Sequence, residues 1–468
     1  MDAHDVLIVG AGPTGLALGI DLARRGVDAL VVERGAGLFP GSRGKGLQPR
    51  TLEVLDDLGV LAEVLEAGGP YPATMFWQDG ERLGEHSMFD AAEPSEAEPY
   101  GGPWMLPQWR TQEILYRRLT ELGGRVAFGR EVSGLTQKPD DVIVEFVSGA
   151  PAGARYVVAA DGGRSAVRRL LDIEMTGETV APEVMLVADL RIDGLDRDHW
   201  HVFPPADDHG ALALCPLAGT ADFQLFAQFP PGTEVDQSPD AVRKVVAERS
   251  HLAAEQVTEV RWASDFRLRA ALADRFRDGR VFLAGDAAHV HAPTGGQGLN
   301  TSIQDSYNLG WKLAAVLGGG VPESLLDTYE EERLPNAAAM LGLTARVLRG
   351  EARRGRETQQ LGLGYAGSSL SVETREGLAE QALRAGDRAP DGRRAGVRLF
   401  DAFRGPHWTL LTVGADAEPP ELPVPVVRIP EYEAYGTGFF LVRPDGYIGW
   451  AGVGPDGLAD YAARLGIG

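Results

Sequence analysis

The stretch Asp5-Val6-Leu7-Ile8-Val9-Gly10-Ala11-Gly12-Pro13-Thr14-Gly15 decides how the chain begins to fold. Its first five residues have the apolar, β-branched character of a strand buried on both faces, and they run into a Gly-x-Gly-x-x-Gly turn. Leu16, Leu18, Ile20, Leu22 and Ala23 follow in a segment long enough for a helix that stops at Gly26, and a second apolar strand, Ala29 to Val32, ends at Glu33. A strand–helix–strand unit is expected. Gly10 permits the tight turn, Gly12 lets backbone N–H groups approach a pyrophosphate, and Gly15 lets the helix lie close on the strand. Glu33 stands at the end of the second strand, where an acid accepts hydrogen bonds from ribose hydroxyls. An acid suits a ribose with free hydroxyls, so FAD or NAD is expected here in preference to NADP.

Around this unit, composition sets the limits. The 468 residues, 44% hydrophobic, can bury a large core and point to two or three domains. Glycine (60) and proline (30) are abundant but follow no period, which excludes a fibrous chain. The net charge of −22 repels phosphate backbones and anionic membrane surfaces, so neither nucleic acid nor membrane is an expected partner. Cys215 is the single cysteine, which leaves no intrachain disulfide, no CxxC pair and no thiolate metal cluster. No basic segment followed by an apolar one opens the chain, and no apolar run is long enough to span a bilayer; a reducing cytoplasm is the expected setting.

Two further stretches bear on the same ligand. Arg280-Val281-Phe282-Leu283-Ala284-Gly285-Asp286 reads as a buried strand ending in Gly-Asp, followed by Pro293-Thr294-Gly295-Gly296-Gln297-Gly298-Leu299-Asn300 and an apolar-periodic helix, Thr301 to Leu317. A glycine-rich loop at a helix N-terminus offers backbone N–H groups to an anion, and Asp286 is placed to hold a sugar-like chain. Between these regions, Val157 to Ala160 forms another apolar strand ending in Asp161-Gly162, before a turn and a basic helix start. One dinucleotide gripped from distant stretches is the expected arrangement.

In these three motifs, their order and their spacing, the sequence resembles the class A flavoprotein monooxygenases, the superfamily of para-hydroxybenzoate hydroxylase. Within it, the pattern is most similar to the actinobacterial hydroxylases of aromatic polyketides and antibiotics. The resemblance spans the whole chain. It implies an α/β fold: a Rossmann-like FAD-binding domain (1–70, 106–175 and 276–350) interleaved with a mixed-sheet substrate domain (71–105 and 176–275). A helical linker (351–385) and a thioredoxin-like C-terminal domain (386–468) without redox cysteines would follow. It implies FAD held by Gly10, Gly12, Pro13, Thr14, Gly15, Glu33 and Arg34 at the adenosine end, and by Asp161, Asp286, Pro293, Gly295, Gly296, Gly298, Leu299 and Asn300 toward the ribityl chain and ring. Arg43 aligns with an arginine close to the flavin that in some members meets substrate or nicotinamide, which makes it the candidate catalytic residue. Lys45, Gln108, Val132 and Thr136 fall at cofactor positions, while Gln112 stands where relatives carry Glu. His289 matches a residue that packs beside the flavin loop, and no metal site is expected from it or from His291.

The implied chemistry is reduction of FAD by transiently bound NAD(P)H, addition of O2 at flavin C4a, and transfer of OH from the hydroperoxide to an aromatic substrate. Baeyer–Villiger insertion by the same peroxide, and an FAD-dependent dehydrogenase without oxygen transfer, remain alternatives. The substrate segments hold Tyr71, Met75, Phe76, Trp77, Trp104 and Met105, then Trp200, Phe203, Phe223, Phe226 and Phe229. Such aromatics suit a planar ligand as a set, although for each one alone ordinary core packing is the better explanation. The acidic stretch from Asp79 to Glu98 reads as a solvated loop, Pro335 is expected to kink or interrupt the helix beginning at Pro322, and the C-terminal domain is a candidate homo-oligomer contact.

Overall fold

Val6, Leu7 and Ile8 are fully buried because the strand they form, β1 (Asp2–Val9), lies inside a sheet between parallel neighbours Ala152–Ala159 and β2 (Ala29–Glu33). The computed structural model describes residues 2–89, 93–205, 209–292, 296–352 and 354–467. Val281–Leu283 extends the sheet on one side and Arg125–Phe128 on the other, both in parallel, with a hairpin (Val132–Gln137 and Val142–Phe146) branching from Ala152–Ala159. The strands read from the sequence before Gly10, Glu33, Asp161 and Gly285 are all present in this sheet.

The helix after β1, α1 (Pro13–Ala23), starts with proline at its first turn and is buried from Thr14 to Leu22. Two glycines mark its close neighbours: a Cβ on Gly19 of α1 would lie 3.2 Å from Leu119, and one on Gly310 of helix Gly298–Leu317 would lie 2.2 Å from the Asp21 carboxylate. Thus α1 is clamped between helix Gln108–Glu121 and helix Gly298–Leu317, and the latter reaches the first turn of α1 through Ser306.

A second, 8-stranded sheet is built mainly from antiparallel strands, in the order His289–Val290, Val257–Ala273, Met175–Ile192, Phe223–Phe229, Leu212–Pro216, His199–Phe203, Ala73–Gln78, Glu81–His86. Its register sorts the side chains. Met75, Trp77, Phe203, Phe223, Leu225 and Leu214 form a core with Val242, Val245 and Val246 of helix Pro239–Arg249. Asp189, Gln224 and Cys215 are direct cross-strand neighbours and occupy the other face. A third, 5-stranded sheet (Val372–Glu373, Ile448–Gly452, Gly438–Val442, Thr409–Val413, Val426–Ile429) is buried on both faces, which is why Thr409–Val413 and Gly438–Val442 read as apolar runs without alternation.

Three expectations need correction. The described residues of 351–385 form no helical linker: apart from the short 3₁₀ turn Arg356–Gln359 they are irregular, and Val372–Glu373 joins the third sheet. Pro335 does not interrupt its helix, which runs from Asp327 to Leu348, while Glu323–Leu326 before it is a 3₁₀ turn. The acidic stretch is not merely solvated. Glu98 pairs with Arg356 and Glu96 bonds the Arg393 amide at 2.9 Å and Arg394 at 2.7 Å, stitching the C-terminal segment to the body.

Candidate functional site

The first glycine turn and the Gly285-Asp286 turn, distant in sequence, meet in space. A Cβ on Gly285 would lie 2.6 Å from the Thr14 hydroxyl and 3.1 Å from Ser302, so only glycine, at φ +63°, lets the two turns touch. Ser306 donates to the Thr14 carbonyl at 2.7 Å, and Arg168 donates to the Ala287 carbonyl at 2.9 Å and the Gly163 carbonyl at 3.0 Å, which ties the Asp161-Gly162 strand end to the same place. Asn300 accepts from the Gln48 amide at 2.8 Å and donates to the carbonyls of Gly46 and Gly296 at 2.9 and 2.8 Å. Pro293 and Gly295 lie outside the described residues.

Within the first turn the glycines divide by role. Gly10 and Gly15 are packed against backbone, with added Cβ atoms falling 2.4 Å from the Ala160 oxygen and 2.0 Å from the Gly10 oxygen. Gly12 has nothing within 4 Å of such an atom. Pro13 and Thr14 form the first turn of α1, whose N-terminal N–H groups have no intrahelical partners. Glu33 accepts from the Ala11 amide at 2.9 Å and the Gly35 amide at 2.8 Å, bracing the loop on both sides.

Asp161 uses one oxygen to accept from the Ala166 and Val167 amides at 2.7 and 3.3 Å, at the start of a short helix, while its other oxygen has no partner among the described residues. Asp286 is reached by solvent yet surrounded by protein. That enclosure raises its pKa above the ordinary value, opposed by His289 and Arg43. Arg43 and Arg34 are both exposed, and enclosure lowers the pKa of Arg43, with Asp286 opposing and Arg164 and Arg34 adding to the effect. Gln108 accepts from the Gly44 amide at 3.1 Å and Gln112 donates to the Phe39 carbonyl at 3.0 Å, so both pin the loop carrying Arg43. Gly296, Gly298 and Leu299 lead into helix Gly298–Leu317, which begins three residues earlier than its apolar pattern indicates.

Two further candidates sit elsewhere, and Val132 lies near Glu33. Lys45 turns its ammonium into the second sheet, where Gln224 accepts from it and the rings of Trp200 and Phe226 lie 4.3 and 4.7 Å away, so its side chain is withdrawn from the glycine turns. Thr136 is exposed in mid-strand opposite Ile143. Val132 is buried, at the strand start next to the Arg130 amide that donates to the Glu33 carbonyl at 2.8 Å. The aromatic candidates also separate: Met75, Trp77, Phe203 and Phe223 are core, Phe229 packs against that core, and Trp104 donates to the Val64 carbonyl at 3.2 Å. Trp200 and Phe226 surround Lys45, and Tyr71 stacks on Trp200 at 6.4 Å.

Sequence reading missed Asp305. It is fully buried and accepts from the Gly285 amide at 2.9 Å and from Arg333 at 2.8 Å, and it pairs with His289 at 2.6 Å, fixing the turn that presents Asp286. His289 is therefore a hydrogen-bonded packing residue, and among the described residues no group of three metal-binding side chains exists. His291 bonds His289 at 3.2 Å, and burial presses its pKa down to about 3.

Open space at Gly12, the unpartnered oxygens of Asp161 and Gln48, and the enclosed but solvent-reached Asp286 fit a dinucleotide laid across both turns. Fold and site define a flavin-dependent oxidoreductase. The FAD binding domain family matches residues 3–344. The chain is 45% identical to a flavin-dependent monooxygenase of Mycobacteroides abscessus, covering 98% of this chain and 99% of that protein. It is 34% identical to a 12-dehydrotetracycline 5-monooxygenase/anhydrotetracycline 6-monooxygenase of Streptomyces rimosus, over 98% and 97%. Among solved structures, aklavinone-11 hydroxylase with FAD and aklavinone superposes with a TM-score of 0.84 at 29% identity, over 99% and 98% of the two chains. The chain belongs to this FAD-binding family and is an FAD-dependent monooxygenase.

Proposed function

We propose that this monooxygenase hydroxylates a polycyclic phenolic or polyketide substrate, with NAD(P)H and O2 as co-substrates. The observation that carries the reading is the split of the second sheet. One face is sealed by helix Pro239–Arg249, whereas the other presents Asp189, Gln224, Trp200 and Phe226 toward the loop carrying Ser42, Arg43 and Lys45. Relatives that act on anhydrotetracycline and an aklavinone hydroxylase support the substrate class.

In this reading Gly12, Pro13, Thr14 and Gly15 receive the pyrophosphate, Glu33 and Arg34 the adenosine, and Asp161 and Asp286 the ribityl side, with Gly296 to Asn300 beside the ring. When bound, FAD supplies hydride acceptance and oxygen activation. The chain's own work is to orient the substrate ring, exclude water and hold negative charge with backbone N–H groups at the start of helix Gly298–Leu317, each such donor contributing about 3 kcal/mol. Arg43, beside Asp286, is placed to meet nicotinamide or substrate. Residues 386–468, read here as a thioredoxin-like domain, share a mixed sheet with Val372–Glu373 and brace the FAD-binding part through Arg443, which pairs with Glu332 at 2.6 Å.

The test is turnover of polycyclic phenols, aklavinone included, with NADPH under ¹⁸O₂. Hydroxylated product carrying a single ¹⁸O supports the reading, and NADPH oxidation coupled to reduction of the substrate, with no ¹⁸O in the product, would replace it with an FAD-dependent reductase.

A further inference from the structure

Lys45 is 8% exposed and, among the described residues, forms no ion pair; its ammonium rests on Gln224, Trp200 and Phe226. An amide oxygen and two ring faces are weak substitutes for a counter-ion at a buried charge. Directly across the strand pair from Gln224 stands Asp189, 2% exposed, whose two oxygens meet no well-formed hydrogen bond although Ser42 lies beside it. Among the described residues the indole N–H of Trp200 also lacks an acceptor. Among the described residues, a cation without an ion pair, a carboxylate met only loosely by Ser42 and an N–H without an acceptor thus gather on one sheet face. Buried polar groups are rarely left so, and unpaired ones cluster where a ligand completes them.

The surrounding charges sharpen the chemistry. Burial lowers the Lys45 pKa, with Arg354 adding to that effect and Cys215 and Asp189 opposing it; Tyr71 lies next to Arg354. Burial pushes Asp189 up to about 6, against the pull of Ser42 and Lys45 and helped by Asp222, so this carboxyl can change protonation near neutrality. Gln224 donates to the Ser42 carbonyl, which locks the lysine's amide partner to the same loop.

We infer that Lys45 and Asp189 form a clamp for an acidic hydroxyl on the substrate ring. The substrate O–H bond breaks, its proton passes to a carboxylate oxygen of Asp189, and Nζ of Lys45 donates to the oxygen left negative; no electrons are exchanged with the protein. The clamp selects polycyclic phenols or enols over their ethers. It rests on the polycyclic-substrate reading above.

The experiment uses FAD-loaded, full-length protein and three probes: quinizarin, a hydroxyanthraquinone whose colour changes on ionisation, its dimethyl ether, and anthraquinone-2-carboxylate. Wild-type protein is expected to hold quinizarin in its ionised colour at a pH where the free dye is neutral, and to bind the ether about tenfold or more weakly, the loss of one hydrogen bond to a charged group. Lys45→Met is expected to lose that preference, and Asp189→Asn to bind quinizarin without the colour change. Flavin absorbance reports whether each variant is folded, and should Lys45→Met fail to fold, the colour readout on Asp189→Asn decides. Equal binding of dye and ether by wild type, or unchanged behaviour in both variants, would overturn the clamp alone. Tight, Lys45-dependent binding of the carboxylate with quinizarin left neutral would overturn the assignment to a hydroxyl. Binding of none of the probes would remove the polycyclic-substrate reading itself, and the clamp with it.

Discussion

Replacing Gly12 with alanine separates the protein's needs from those of its cofactor. Gly12 has φ −73° and ψ 177°, a conformation open to any residue, and nothing lies within 4 Å of an added Cβ. The apoprotein should therefore lose nothing and gain about 0.4–1 kcal/mol from a stiffer unfolded chain. The added methyl instead occupies the side from which a pyrophosphate would approach the first N–H groups of α1. Losing one charge-assisted hydrogen bond there costs about 1.5–3 kcal/mol, a drop in FAD affinity of about ten- to a hundredfold. Titration of apoprotein with FAD, followed by flavin fluorescence, reads the affinity, and urea unfolding of the same apoprotein reads the stability. Gly15→Ala is the contrast: its Cβ would fall 2.0 Å from the Gly10 oxygen, where about 3.3 Å is needed, so stability and affinity should fall together. Unchanged FAD affinity in Gly12→Ala would refute the reasoning, because the pyrophosphate would then not approach that face.

Asp305→Ala strands buried Arg333 and His289 and should cost about 3–5 kcal/mol in chemical unfolding. His291 stays neutral in the fold, its pKa pressed from 6.5 to about 3 by burial and by His289, so the unfolded chain binds the extra proton. Its contribution therefore turns against the fold as pH drops below about 6.5, down to about 3, and His291→Gln should make unfolding free energy less steep with pH over that window. Arg443→Ala removes a buried cation that pairs with Glu332 at 2.6 Å and Asp445 at 2.6 Å, and should cost about 3–5 kcal/mol and speed proteolysis within residues 350–390.

The strand–helix–strand opening was legible because strand burial, turn and helix start are all local in sequence, and the same holds for the strands ending at Asp161 and Asp286. The second sheet was not. Whether Trp77 or Trp200 faces a ligand depends on strand register, and both are aromatic residues in apolar runs; only the pairing of His199–Phe203 with Ala73–Gln78 and Leu212–Pro216 separates them. The direction of the Lys45 side chain was hidden for a related reason, since position in a loop does not say which way a long side chain leaves it. Asp305 was hidden by the helix pattern itself. Helix Gly298–Leu317 buries Asn300, Thr301, Ser302, Gln304 and Asp305, polar residues that an amphipathic reading assigns to solvent. A long helix polar on the face that follows a glycine turn was the available signal.

The most direct test of convergent glycine turns is the flavin content of the purified chain, wild type beside Asp286→Ala, read from the visible absorbance per chain. The wild type should carry FAD in equal number with the chain, and the variant should emerge colourless with an unchanged far-ultraviolet circular dichroism spectrum. A variant as yellow as the wild type would contradict the assignment of Asp286, and a colourless wild type that no added FAD restores would contradict the site.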